Sequence, residues 1–262
     1  MVNLLAAAAV AVATPAAVPQ LPSEPAMFVV HDADTTIYLF GTFHALDSDE
    51  HWFDGTIRDA FELSDELVLE TLLPEGPKAA QQLRQAQPAS QPSGSFLATT
   101  RIAISAGRSQ GMQVENGADT VLRHVAEAEG KLVEQLETLQ FQLNMFNHLP
   151  TSASPPRNAK AGQAVQRGSA EDLSQTMAQM QWAWKHGDQK VFVRMLDQLD
   201  QSSPDTYRMM FTDRNARWAD WIAARMQTPG TVFVAVGAGH LAGKDSVLVR
   251  LAERGIASQR VY

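Results

Sequence analysis

The sequence predicts an α/β fold, a central mixed sheet with flanking helices and an α-helical insertion. Three observations carry this reading. Short β-branched and aromatic runs stand near both ends of the chain, helix-period segments alternate with them, and a long polar-helical stretch rich in tryptophan separates the early strands from the last ones.

In chain order, Met27 to Val30 and Thr36 to Phe40 read as two short strands joined at His31-Asp32-Ala33-Asp34, whose aspartates suit a hairpin turn. From Trp52 to Leu63 the apolar residues Phe53, Ile57, Ala60 and Phe61 recur at helical spacing, and Glu66 to Glu70 (ELVLE) then reads as a buried strand. Residues 73 to 95, rich in Pro, Gln, Ala, Ser and Gly, are expected to form a loop or surface helices with little share in the core. Asp119 to Glu129 has helical periodicity and stops at Gly130, Lys131 to Leu136 follows as a strand, and Glu137-Thr138 opens the next helix. A Pro/Ser-rich break, Pro150 to Pro156, precedes the helical stretch 168 to 226, where Trp182, Trp184, Trp218 and Trp221 are expected to pack between helices. Thr231 to Val236 is a strand, Ser246 to Arg254 a helix, and Ser258 to Val261 the last strand.

Residues 4 to 13 (LLAAAAVAVA) followed by a Pro-rich spacer resemble a signal peptide, with Ala11-Val12-Ala13 as the small-x-small cleavage pattern. The expected organisation is therefore a signal peptide and spacer over residues 1–24 and one α/β domain over 25–262, its helical insertion spanning about 140–226. A periplasmic or secreted location follows from that reading. The apolar run falls short of the roughly 20 residues a membrane-spanning helix needs, so no integral membrane segment is expected after cleavage.

Composition narrows the chemistry. With 21 Lys plus Arg against 29 Asp plus Glu, the net charge of −8 is the wrong sign for a protein that neutralises phosphates, so nucleic acid is not an expected partner. The absence of cysteine removes disulfides, thiolate metal sites and cysteine nucleophiles, leaving His, Asp and Glu for any metal. No phosphate-cradling glycine loop is present.

Two segments echo each other: TIYLFGTFH, ending at His44, and TVFVAVGAGH, ending at His240. Each is a strand that stops at a glycine with a histidine three residues later. Such a histidine lies just past the carboxyl end of a strand, where α/β sheets form their ligand crevices. Glu70 closes the strand ELVLE in the same way. His44, His240 and Glu70 are thus expected to face one crevice, and two imidazoles with a carboxylate suit Mn, Co, Zn or Fe as divalent ions. Taken singly, each residue has a plainer reading, a solvated turn histidine or a solvated strand-end carboxylate. His31, His51, His124, His148 and His186 sit beside turns or on polar helix faces and are expected to be solvated, although His51, close to Asp47, Asp49 and Glu50, can also line the mouth of the same crevice.

The segments YLFGTFHALDSDEHWF with IRDAFELSDELVLET, GADTVLRHVAEAEGKLVEQLETLQFQ, and RNARWADWI with GTVFVAVGAGHLAGKDSVLVRLAERG together resemble the TraB/PrgY/GumN family, which is similar to the Tiki proteases. The resemblance implies a Tiki/erythromycin-esterase-like fold and a metal-dependent hydrolase site at His44, Glu70 and His240. It further marks Glu137 and the pair Arg214-Asn215. Glu70 would be a metal ligand or the general base, and Glu137 either a further ligand or a helix-opening carboxylate. Arg214 would hold a substrate carboxylate or an oxyanion, or merely form a surface ion pair, and Asn215 is carried with it as a substrate-binding residue.

Three functions compete: a metal-dependent hydrolase of a peptide, amide or ester bond; a noncatalytic protein that sequesters a small peptide or signal; and an accessory factor of envelope polysaccharide production. A peptide or small molecule is the expected partner in the first two. Because residues 1–24 show no pairing pattern with the core, their deletion is expected to leave the thermal unfolding midpoint nearly unchanged. A fall of more than a few degrees would show that the segment is packed.

Overall fold

The computed structural model describes residues 24–48, 51–76, 107–108, 110–148 and 170–261. The amino-terminal apolar run, most of the Gln/Pro-rich stretch expected as loop, and the break Pro150 to Pro156 lie outside the described residues.

Strands β1 (Met27–His31) and β2 (Thr35–Thr42) form the expected hairpin, with Met27 opposite Phe40 and His31 opposite Thr36. Asp32 fixes the turn, its carboxylate accepting from the backbone N–H groups of Asp34 and Thr35. Helix α1 (Gly55–Glu62) buries Ile57, Ala60 and Phe61, the spacing that placed it. All four residues of β3 (Glu66–Leu69) are buried, as a central parallel strand requires. Helix α2 (Ala118–Glu129) ends where Gly130 takes a φ of 71°. Strand β4 (Leu132–Gln135) follows, and Thr138 caps α3 (Leu139–Asn147) by accepting from the Phe141 N–H.

The long helical stretch resolves into α4 (Ala170–Lys185), α5 (Gln189–Ser202), the single turn α6 (Pro204–Tyr207), a π-helical turn over Arg208–Thr212, and α7 (Asp213–Arg225). Strand β5 (Gly230–Gly237) leads into a 3-10 turn, Ala238–Leu241, and Ser246 caps α8 (Val247–Glu253) before the short β6 (Gln259–Arg260).

The six strands are ordered β4-β3-β5-β2-β1-β6. β4, β3, β5 and β2 run parallel, while β1 is antiparallel to both β2 and β6, so the sheet is mixed. Helices cover both faces. Phe40, Leu67, Leu69, Phe233 and Ala235 meet Phe61, Leu122, Trp184 and Phe192 on one side; Val68, Val232, Val234 and Val236 meet Trp218, Ile222, Val247 and Leu251 on the other. Each large apolar side chain buried in this way contributes about 1.5–3 kcal/mol.

The tryptophans divide. Trp184 and Trp218 are in the core and Trp221 packs at its edge, but Trp182 is half exposed and stacks on His186. The reason is geometric: residues two apart on a helix point about 200° from one another, so Trp182 and Trp184 cannot both face inward. The inserted helices also serve both faces of the sheet, α4 and α5 through Trp184 and Phe192, α7 through Trp218.

Candidate active site

The two Gly-x-x-His segments meet because β2 and β5 are parallel neighbours whose register sets Gly41 beside Val236 and Thr42 beside Gly237. His44 lies two residues past the end of β2, and His240 lies in the 3-10 turn after β5. β3 flanks β5 on its other side, which puts Glu70 at the same end of the sheet. The pairing of β3 with β4 continues past the strands, the Glu137 N–H donating to the Glu70 carbonyl at 2.9 Å, so Glu137 stands beside Glu70. β2 connects through α1 to β3, skipping the position that β5 later fills between them, so this is a switch point in strand order, the usual place for a crevice.

Gly237 is the floor on which the groups converge. A Cβ there would lie 3.2 Å from Glu70 Oε1, 3.4 Å from His44 Nε2 and 3.7 Å from His240 Cδ2. Its backbone N–H donates to Glu70 Oε1 at 2.7 Å. Both imidazoles are held by Nδ1 and present Nε2: that of His44 is 2.7 Å from Asp119 Oδ2, and that of His240 is 2.6 Å from Asn215 Oδ1. Asp119 also accepts from the Thr42 hydroxyl at 2.8 Å, and Asn215 donates its amide N–H to the Asp245 carbonyl at 2.8 Å. That second bond orients the amide, so its oxygen faces His240, Nδ1 carries the proton and Nε2 carries the lone pair.

Arg214 fills the back of the crevice. Its Nε donates to Glu137 Oε2 at 2.9 Å, one terminal nitrogen to Glu70 Oε2 at 2.8 Å, and the other to the Met210 carbonyl at 3.3 Å and toward His240 Nε2 at 3.2 Å. The guanidinium also lies over the Trp218 ring, 4.5 Å from its centre. Arg217 shares Glu137 at 3.1 Å. The His240 ring is held between Phe211 and Trp218, with ring centres 4.8 and 4.4 Å away.

These surroundings give the two histidines opposite charge states. The Asp119 carboxylate pushes His44 up to about 9 against the cost of desolvation, so the ring is an imidazolium at neutral pH. Burial pushes His240 down to about 3, with Arg214 and His44 adding to the effect against the pull of Glu70, so its ring is neutral. Burial by itself would raise Glu70, but the neighbouring His240, Arg214 and His44 and the Gly237 N–H outweigh it and hold the carboxyl at about 2. The His44 side chain is 65% exposed, whereas Glu70 and His240 are 12% and 6% exposed. The site is a buried network with one open face, at His44.

The structure brings together His44, Glu70, Glu137, Arg214, Asn215 and His240, six residues drawn from five parts of the chain. Several of the expected roles change. Arg214 is only 4% exposed and committed to partners inside the protein, so it is neither a surface ion pair nor a free anchor for a substrate carboxylate. Asn215 is buried, with its amide spent on His240 and Asp245 rather than on a substrate. Glu137 is held by two arginines, not by a helix end. His51 lines a separate cleft of about 250 Å³ with Asp47, Trp52, Asp54 and Asn116, and His44 is not among its walls.

The donor set does not close into the expected metal shell of His44, Glu70, Glu137 and His240. An imidazole nitrogen has one lone pair, and that of His240 Nε2 faces an Arg214 N–H. Among the described residues, no three His, Asp or Glu side chains form a metal-holding group. A guanidinium so close is also a poor neighbour for a cation: at an effective dielectric near 20, unit charges about 4 Å apart repel by roughly 4 kcal/mol, and a divalent ion doubles that.

Sequence reasoning missed Asp119, which read as an ordinary acidic residue in the first turn of α2. It also missed Gly117. A Cβ at Gly117 would fall 2.2 Å from the His44 carbonyl oxygen, and the next residue, Ala118, donates its N–H to the Phe43 carbonyl at 3.0 Å. The repeated alternation of strand and helix was the available signal, since a helix crossing between parallel strands starts at the carboxyl edge of the sheet, the edge where His44 lies. Gly117→Ala is therefore expected to force α2 away from the His44 loop, costing about 1–3 kcal/mol in denaturant unfolding. With Asp119 displaced, the His44 titration followed by NMR should move from about 9 toward 6.5. An unchanged titration would show that the loop and helix adjust together.

No curated protein and no solved structure matches the chain. A family model described as the TraB/PrgY/gumN family matches residues 26–99 and 89–260, which together take in the hairpin, both Gly-x-x-His segments and the inserted helices. The chain belongs to the TraB/PrgY/gumN family.

Proposed function

We propose that this chain is a hydrolase of a peptide, amide or ester bond acting in the crevice above Gly237. The observation that carries the reading is the convergence of His44 Nε2, Glu70 and the His240 ring over that glycine, each group held from behind by a partner of its own. An ionised carboxylate beside an open imidazolium is an acid–base pair whose members differ widely in proton affinity.

In this reading Glu70 accepts a hydrogen bond from the attacking water and takes its proton as the carbonyl is attacked. His44, charged and open to solvent, donates the Nε2 proton to the leaving group while Asp119 keeps its Nδ1 proton in place. Glu70 then returns a proton to His44 through solvent, and the site resets with one water consumed. Arg214 keeps Glu70 ionised and fixes its second oxygen, so the carboxylate cannot turn away from the crevice. His240, neutral and packed, closes the far wall. Metal-dependent hydrolysis by Mn, Co, Zn or Fe, as the family resemblance implies, would first require His240 Nε2 to be released from Arg214. The sequestering reading is favoured by one observation, the complete internal engagement of Arg214 and Glu137, which leaves fewer groups for chemistry. Action outside the cytoplasm rests on residues 4–13 alone.

Glu70→Gln and His240→Ala test the proposal on any ester or peptide that the wild-type chain turns over in a substrate screen. Turnover by Glu70→Gln should fall at least about 100-fold with the circular dichroism spectrum retained. Full activity in both variants would overturn the reading by showing that turnover does not use this crevice, and a wild-type chain that turns over nothing in the screen would leave the sequestering reading ahead. A second test is the pH profile. His44 acts protonated, so the rate should hold through neutral pH and fall as pH rises through about 9, while Glu70, at about 2, adds no acid limb above the range where the fold itself fails. The same raised value makes the His44–Asp119 pair a stability contribution that is fully present below 6.5 and lost as pH rises through about 9, a small one because the ring is mostly exposed. A rate that climbs through pH 9 would assign His44 as a base instead.

A further inference from the structure

We infer that Arg214 is the resident cation of the crevice and that its guanidinium and a divalent metal exclude one another from His240 and Glu70. Three observations carry this. The His240 tautomer is set from behind, since Asn215 is oriented by the Asp245 carbonyl and can only accept from Nδ1; the Nε2 lone pair is therefore available to one partner, and that partner is an Arg214 N–H at 3.2 Å. The same guanidinium takes Glu70 Oε2 at 2.8 Å and Glu137 Oε2 at 2.9 Å, so it bridges both strand-end carboxylates that a metal would use. It is also clamped from outside the carboxylates, over Trp218 and against the Met210 carbonyl.

The charges are consistent with a site complete as it stands. Arg214 and Arg217 balance Glu70 and Glu137, and the His44 imidazolium balances Asp119, with His240 neutral. A divalent ion added to this set would meet an arginine that cannot lose its proton. It would need Arg214 to leave both carboxylates, giving up its bonds to Glu70 and Glu137. The inference does not depend on the hydrolase reading, because it concerns what occupies the crevice and not what the crevice does.

The test is zinc, manganese and cobalt affinity of the full chain, measured by equilibrium dialysis, with His240→Phe to remove the lone pair while keeping the ring packing. In the wild-type background His240→Phe should leave metal affinity unchanged within about twofold. Arg214→Met combined with Glu137→Gln frees His240 Nε2 and Glu70 while removing the charge of Glu137, which would otherwise rest on Arg217 alone. In that background zinc should bind at least about tenfold more tightly than to wild type, and the gain should vanish when His240→Phe is added. A tenfold loss of wild-type affinity on His240→Phe would overturn the inference by showing that His240 already ligates metal with Arg214 present. A double variant that gains no His240-dependent binding would overturn it equally. If the double variant does not fold, the comparison of wild type with His240→Phe decides alone.

Discussion

A buried guanidinium is the constraint on which this site depends. Taking an arginine out of water costs several kcal/mol unless its donors are met by well-placed acceptors, and breaking such a pair costs about 3–5 kcal/mol because the remaining charge is stranded. Arg214 meets this requirement only with acceptors from separate elements: Glu70 after β3, Glu137 after β4, His240 after β5 and the Met210 carbonyl in the turn before α7. The planar fork tolerates little misplacement. The ends of three strands and the start of one helix are therefore held to a common geometry by one side chain.

That geometry separates two residues that look identical in sequence. His44 and His240 each follow a glycine by three positions, yet one is a charged ring at the surface and the other a neutral ring in the interior. Burial pushes His240 down, and the acceptor behind each Nδ1 widens the difference. A carboxylate, Asp119, stabilises the imidazolium, whereas the amide oxygen of Asn215 gives no such charge. Asn215 in turn is oriented through Asp245, whose carboxylate takes the Tyr207 hydroxyl at 3.0 Å and pairs with Arg250. The neutral histidine is thus supported from α6 and α8 as well as from the sheet.

Much of this was legible in the chain. Period and punctuation located every described strand to within about a residue or two, because buried strands of β-branched residues ending in glycine leave little ambiguity. His44, Glu70 and His240 were found by one rule, that strand carboxyl ends line crevices. What sequence could not give was the role of each partner. Arg214 and Asn215 were associated with the site, but whether they face a substrate or each other's neighbours depends on burial, which neither residue type signals. Asp119 stayed hidden because an acidic residue in a helix's first turn has an ordinary reason to be there. Trp182 was placed inside on the strength of its neighbours, although its two-residue spacing from Trp184 argued against both facing the core.

The π-helical turn over Arg208–Thr212 joins α6 directly to α7 and so makes one continuous helical run with two phases. A π turn inserts one residue, which rotates everything after it by roughly 100° relative to what precedes it. Along this run Tyr207 and Phe211 reach Asp245 and the His240 ring, and Arg214 and Trp218 reach the same histidine. These four residues are spaced 0, 4, 7 and 11 positions apart, the spacing of a single helix face, so they converge on one region of the site. One residue more or fewer between Phe211 and Arg214 would rotate the guanidinium by about 100° and take it off Glu70 and His240, so the site depends on the length of this run as much as on its residues.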